Sequence, residues 1–276
     1  MKITATEVNK LRKQTGAGMM DCKKALVEAE GDFDAAVDIL RKKGQKVAAK
    51  RSDRDATEGV VLARQSEDGT HGAIIVLNCE TDFVAQNSDF LQFAENILDI
   101  AMKERPADLA ALKALPYKDS GMTIEEKITE QTGVIGEKID LSSYDTIQSD
   151  NVISYIHPGN KLASVVGLNK VGNFDEVGKE VAMQVAAMDP VALDKESVPQ
   201  EVVEKEIEVG KDLAIQEGKP AELAEKIAMG RLNKFFQENT LLNQAFIKDN
   251  KKSVKQYLGE TEKGLSVTSF KRFSLS

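Results

Sequence analysis

Apolar positions in the first fifty residues recur at helical spacing. Val8 and Leu11 share one face of a first helix, which Gly16 and Gly18 interrupt. Met19, Cys22 and Leu26, at steps of three and four, mark a second helix that stops at Gly31. A third begins at Asp32, a good N-cap, and turns Phe33, Val37 and Leu40 inward. Arg41-Lys42-Lys43 followed by Gly44 is expected to end it, because cations suit the last turn and glycine suits the residue after it. From Gln45 to Asp55 the chain is charged, with no stripe beyond Val47 and the alanines, and reads as a solvated helix end passing into a linker.

The period then changes. Gly59 to Gln65 and Gly72 to Leu77 are rich in valine and isoleucine and flank Glu67-Asp68-Gly69, a strand, turn and strand. A short loop from Cys79 to Val84 leads to a helix capped by Asp89, with Phe90, Phe93, Ile97 and Ile100 along one face. The arrangement repeats. Val152 to His157 and Leu162 to Val171 form a second hairpin around Pro158-Gly159-Asn160, followed by a helix with Val177, Val181, Val185 and Met188 inward. One such hairpin is marginal alone, so each copy needs its helix. Between the copies Thr123 and Glu126 form a capping box before Ile128 and Ile135. After the second copy, Gln200 to Glu217 places Val203, Ile207, Gly210 and Ala214 on one seam. Gly218-Lys219-Pro220 forces a turn, and Ala221 to Glu238 returns with Leu223 and Ile227 on one side. This predicts a helical hairpin with polar outer faces. Val267 to Leu275 reads as a last strand.

Composition narrows the functional classes. The 276 residues are 41% hydrophobic and 30% charged, values that suit a folded protein. Acids outnumber bases 45 to 37, for a net charge of −8. Nucleic-acid binders draw most of their affinity from a basic face, so this balance argues against direct nucleic-acid binding. No apolar run is long enough to cross a bilayer, and Met1-Lys2-Ile3-Thr4 lacks the apolar stretch of a signal peptide, so a cytoplasmic location away from membranes is expected. Cys22 and Cys79 fall in no CxxC and read as buried thiols, a disulfide or a reactive thiol being the alternatives.

Catalytic chemistry finds little support. His71 lies beside a turn and reads as a surface residue; His157, at a strand end before Pro158-Gly159, reads as an exposed contact residue. Neither belongs to a metal-ligand spacing, and no GxxxxGK[ST] or GxSxG is present. No catalytic residue, resident metal or cofactor is expected. Two places suggest contact surfaces. Met19 and Met20 cannot both face the small module's core, since helix neighbours point about 100° apart, so one is expected outside. Thr81-Asp82-Phe83-Val84 sits at a strand exit, where rigid scaffolds carry functional loops. From the residues alone, Phe83 as a plug between hairpin and helix is favoured over Phe83 as a contact residue.

The stretch Thr15-Gly16-Ala17-Gly18-Met19-Met20-Asp21-Cys22-Lys23-Lys24-Ala25-Leu26 and the stretch Asn78-Cys79-Glu80-Thr81-Asp82-Phe83-Val84-Ala85 resemble the two signatures of bacterial elongation factor Ts, the exchange factor for elongation factor Tu. Ile135-Gly136-Glu137, Glu201 to Glu206, Gly218-Lys219-Pro220 and Phe270-Lys271-Arg272-Phe273 extend the resemblance along the chain. It implies an α+β fold: an N-terminal three-helix module like a ubiquitin-associated domain, a duplicated core of small antiparallel sheets with helices, and a protruding antiparallel helical hairpin. The matching division is 1–55 for the N-terminal module and linker, 56–140 and 141–197 for the two core halves, 198–242 for the hairpin, and 243–276 for a segment returning to the core. The resemblance implies a partner GTPase of the elongation factor Tu type, bound both GDP-loaded and nucleotide-free. Thr81, Asp82, Phe83 and Val84 are the positions implied to enter its nucleotide-binding domain and dislodge magnesium; Met19, Met20 and His157 are implied as further contacts. Two positions depart from the family pattern: Gln184 stands where a histidine is common, and Pro158-Gly159-Asn160-Lys161 where Gly-Gly-Arg is common. Lysine cannot reproduce a bidentate arginine contact.

Three other readings compete. An adaptor acting through its N-terminal module would bind without stimulating GDP release. An RNA-binding translation protein would show a steep salt dependence. An enzyme would need a nucleophile and base that the sequence does not supply.

Overall fold

Capped helix ends set out most of the architecture. The computed structural model describes residues 3–275. Thr4 opens α1 (Ala5–Thr15) through a capping box with Glu7. After α2 (Met19–Glu28), Asp32 starts α3 (Phe33–Arg51), accepting the Ala35 N–H at 3.0 Å. There follow β1 (Glu58–Gln65), β2 (His71–Cys79), α4 (Asp82–Ala85), α5 (Ser88–Glu104), α6 (Leu109–Ala114), α7 (Ile124–Ile135) and β3 (Asp140–Gln148). Next come β4 (Asn151–Ile156), β5 (Leu162–Leu168), α8 (Asp175–Met188), α9 (Gln200–Gln216) and α10 (Ala221–Asn239). The chain ends through β6 (Ala245–Phe246), β7 (Asp249–Ser253), α11 (Val254–Thr261) and β8 (Val267–Ser274). The fold is α+β. Both predicted hairpins form and each gains a third strand, giving sheets β1-β2-β3 and β4-β5-β8; a small β6-β7 ribbon is separate. β8 lies antiparallel to β5, Ala163 opposite Phe273, with a register shift at Gly167/Leu168. Among the described residues no helix is long and apolar enough to cross a membrane.

The chain divides into two compact units. One takes the chain up to residue 61 with residues 75–144; the other takes residues 62–74 with 145–274. In the first, Val8, Leu11, Cys22, Ala25, Leu26 and Ala36 form a small core, against which Phe33, Val37 and Leu40 pack partly buried. The capping box of Thr123 and Glu126 is present at the start of α7. The helix start expected at Asp89 belongs instead to Asn87, whose side chain accepts the Asp89 N–H at 2.8 Å.

Gly44 does not end the third helix, which runs on to Arg51. Gly44 is buried where α3 meets Gly133 of α7: a Cβ built on Gly133 would lie 2.3 Å from the Gly44 Cα. The two backbones touch, so this glycine marks a helix crossing where the sequence suggested a cap. Both cysteines are buried free thiols.

In the second unit, the inner face of β4-β5-β8 packs with α8 and with the segment after the helical hairpin; Ile153, Val166, Leu168, Val181, Val185, Leu241, Val254 and Leu258 share one core. α9 and α10 pair along a seam made mostly of small residues, Gly210 and Ala214 on one helix and Ala224 and Ala228 on the other, closed by Leu232. A Cβ on Gly210 would lie 3.1 Å from the Ala228 Cα, which fixes how close the helices come. Leu223, expected on the seam, is 49% exposed because Ala224 takes its place.

His71 corrects the expectation of a surface histidine. It is buried, with the Thr146 hydroxyl 3.3 Å from its Nε2. Thr146 sits on β3, a strand the polar stretch Asp140 to Gln148 did not announce. Gln184 is fully buried: its Nε2 donates to Gln244 Oε1 and to Ala245 O, both at 3.1 Å, and its Oε1 accepts the Ile247 N–H at 2.8 Å. At this position the chain holds its own fold together. Gln184→Leu keeps the volume but strands those partners; an unsatisfied buried group costs about 1–3 kcal/mol, so a loss of about 2–4 kcal/mol is expected in urea unfolding. A loss below about 0.5 kcal/mol would mean water replaces the amide.

Candidate partner-binding surface

The Thr81 stretch is a single helical turn. Thr81 is its N-cap, in extended conformation (φ −125°, ψ 153°), with its Oγ1 accepting the Val84 N–H at 3.4 Å. The turn closes through Ala85 N to Thr81 O at 3.2 Å and Gln86 N to Asp82 O at 3.0 Å. No residue of α4 is buried. Asp82 is exposed, Val84 half-buried, and the Phe83 ring is 83% exposed. A plug would be covered on all sides, so the plug reading is overturned. Exposing a phenylalanine this fully leaves its apolar surface in water, at about 25 cal/mol per Å².

Polar contacts from the segment just after α7 hold the turn. The Thr81 N–H donates to Glu137 Oε2 at 3.0 Å and the Thr81 hydroxyl to Oε1 at 2.7 Å. One residue earlier, Glu80 accepts two bonds from Arg51 Nη1, at 2.8 and 2.9 Å, and the Lys138 N–H at 2.6 Å. The Lys138 N–H and the Arg51 guanidinium hold the Glu80 carboxyl below its ordinary value of 4.5. Cys79 donates its thiol proton to Thr81 O at 3.1 Å. Burial first, and the Glu137 charge second, push that thiol up to about 12, so it stays protonated and inert.

The depressed Glu80 carboxyl predicts a pH dependence. A group whose folded value is lowered stabilises fully above its unfolded value and loses that contribution as pH falls through the folded one. Wild type should therefore be more stable than Glu80→Gln at pH 7, with the gap closing below about pH 4.5. Parallel denaturant titrations from pH 7 to 3 check this; a constant gap would mean the carboxylate charge is irrelevant.

Met19 and Met20 open α2 and are 52% and 62% exposed, so both face solvent where one was expected. Val27, seven residues beyond Met20 on the same helix, is also exposed and was not singled out from the sequence. The loop before α2 and the Thr81 turn meet one cavity of about 350 Å³, to which Gly16 and Val84 both contribute, with Phe90, Phe93 and Val134. His157 belongs to the other unit; it is exposed, its Nδ1 2.9 Å from the Tyr155 hydroxyl. Glu137, the anchor of the turn, looked like any acid near a helix end; only the family match at Ile135-Gly136-Glu137 drew attention to it.

The family model described as "Elongation factor TS" matches residues 80–276. Proteins named "Elongation factor Ts" align with nearly the whole chain. That of Christiangramia forsetii is 56% identical over 99% of both chains, and that of Amoebophilus asiaticus 54% identical over 99% of this chain and 98% of its own. That of Cytophaga hutchinsonii is 52% identical over 99% of both. With two thirds of the chain matched by the model and relatives this similar along its length, the chain belongs to the elongation factor Ts family.

Proposed function

We propose that this protein is the guanine-nucleotide exchange factor for an elongation factor Tu-type GTPase in translation elongation. It binds the GDP-loaded partner, disturbs its magnesium and phosphate site, and speeds GDP release so that GTP can rebind. The observation that carries the reading beyond family membership is Phe83, an aromatic side chain held out in solvent on a turn whose cap, Thr81, is fastened by the Glu137 and Cys79 side chains. A ring left in water at a cost to the free protein is explained by a partner that covers it. Met19 and Met20 supply a second, adaptable contact from the N-terminal helices, and His157 a third from the other unit.

The physical mechanism is linkage. A factor that binds the nucleotide-free partner more tightly than the GDP-loaded one must weaken GDP binding by the same ratio. Magnesium bridges phosphate and protein oxygens, so displacing its ligands removes the largest positive charge at that site. Phe83 wedges apart packing beside that site, and Asp82 places a carboxylate near it. The factor leaves unchanged, with no bond made or broken on its own atoms. The cytoplasm, where translation runs, is the proposed location. The test is fluorescent GDP release from purified elongation factor Tu at substoichiometric amounts of this protein. Repeated turnover is expected; binding without acceleration would favour an adaptor instead.

A further inference from the structure

The turn that carries Asp82 and Phe83 has no fully buried side chain, and only Val84 and Ala85 are half-buried. It is four residues long, with no buried member. A single helical turn is unstable in isolation, because nucleating it fixes several dihedrals for one hydrogen bond. Its direction must therefore be set from outside, and Glu137 reaches it most closely.

We propose that Glu137 is the positioning residue for this turn: its carboxylate grips the N-cap Thr81 through both oxygens and fixes the direction in which Asp82 and Phe83 are presented to the partner. This inference rests on the exchange-factor reading for its functional consequence. The grip uses Thr81's backbone N–H at 3.0 Å and its hydroxyl at 2.7 Å, so it fixes both the strand end and the cap rotamer. A bidentate carboxylate leaves one orientation, whereas a single bond would let the turn swing. Because the Thr81 hydroxyl donates to Glu137, its lone pairs stay aimed at Val84 N–H, and the cap bond at 3.4 Å depends on the first.

The support behind Glu137 is rigid. Gly136 ends α7 in the left-handed region (φ 82°), its N–H bonded to Thr132 O at 2.9 Å. The Ile139 N–H donates to the buried Thr132 hydroxyl at 3.2 Å, so Thr132 fastens the segment on either side of Glu137. The neighbouring residue points the other way along the same junction. Lys138 gives its N–H to Glu80, and its ammonium caps the end of the long third helix at Ser52 O, 2.8 Å, and Arg54 O, 2.9 Å. Residues 137 and 138 thus hold residues 81 and 80 and also the segment leading from the N-terminal helices.

The chain contains no tryptophan, so Phe83→Trp puts a single tryptophan on the turn itself, excited at a wavelength that spares the four tyrosines. In that background, Glu137→Ala should shorten the rotational correlation time of the ring. In the native background it should speed amide hydrogen exchange at Ala85 and Gln86 about tenfold, with β2 and α5 unchanged. Thr81→Val removes the hydroxyl's bond to Glu137 together with its cap on Val84, and leaves the backbone N–H bond. It should do the same, and the double variant should do no more than the worse single one. Glu137→Gln, which keeps one accepting oxygen in place, should fall between. Stimulated GDP release should slow about fivefold or more in Glu137→Ala at saturating partner, with partial rescue in Glu137→Gln. If Glu137→Ala does not fold, Glu137→Gln decides, its turn amides exchanging faster than those of wild type. Unchanged turn amides, or exchange that rises equally across the unit, would overturn the proposal. Wild type and Phe83→Ala, assayed alongside, separate the claims: wild type that leaves release unchanged sinks the exchange reading, normal release by Phe83→Ala sinks only the wedge, and the turn amides still judge Glu137.

Discussion

Phe83→Ala is expected to slow stimulated GDP release at least tenfold while shifting the melting temperature by less than about 2 °C. The ring is 83% exposed, so truncating it removes almost no packing from the free protein. A buried phenylalanine behaves otherwise, costing about 3–5 kcal/mol on truncation to alanine. Inside a partner the same ring is worth far more: aromatic anchors at interface centres cost about 2 kcal/mol or more when removed, and 1.4 kcal/mol is a factor of ten. Pairing calorimetry with stopped-flow release on the one variant makes the contrast direct. A large drop in melting temperature, with residual folded protein releasing GDP normally, would restore Phe83 to the core.

A large stability effect should come from Gly133. A methyl group there would lie 2.3 Å from the Gly44 Cα and 3.2 Å from the Gly44 carbonyl carbon. These are backbone atoms in the middle of α3 and cannot rotate away. Gly133→Ala must push α3 off α7, and overpacking of this kind costs about 1–3 kcal/mol even where side chains can yield. A loss of about 3 kcal/mol or more is expected, or an N-terminal segment that melts separately. The reverse substitution should behave differently. A methyl on Gly44 finds its nearest neighbour, the Gly133 Cα, at 3.6 Å, an ordinary contact. Alanine is favoured over glycine in a helix by about 1 kcal/mol, so Gly44→Ala should be neutral or mildly stabilising. Equal effects of the two substitutions would contradict the crossing geometry.

That crossing also explains where the sequence misleads. Lys42, Lys43 and Gly44 carry every local sign of a helix end, and only a partner on α7 turns this glycine into a contact. The hairpins were legible because valine and isoleucine runs around Glu67-Asp68-Gly69 and Pro158-Gly159-Asn160 leave little else for the chain to form. β3 was not. Its buried residues Leu141, Tyr144 and Ile147 fall at steps of three, which no strand period announces. Missing β3 also misplaced His71, since Thr146 on that strand lies against it. At the candidate site, the residue types at the strand exit pointed to the place, but an aromatic on a short loop reads alike whether it plugs or protrudes. The anchor Glu137 lies far along the chain from Thr81, a pairing that spacing does not reveal.

The most direct test is GDP release from elongation factor Tu, stimulated by wild type, Asp82→Ala and Phe83→Ala, each with magnesium present and with magnesium chelated. If the Thr81 turn works by disturbing the magnesium site, wild type accelerates release strongly in magnesium and much less after chelation. Both variants should be impaired in magnesium and should approach wild type once it is removed. Wild-type protein that leaves GDP release unchanged at saturating concentration, or variants equally impaired in both conditions, would contradict that mechanism.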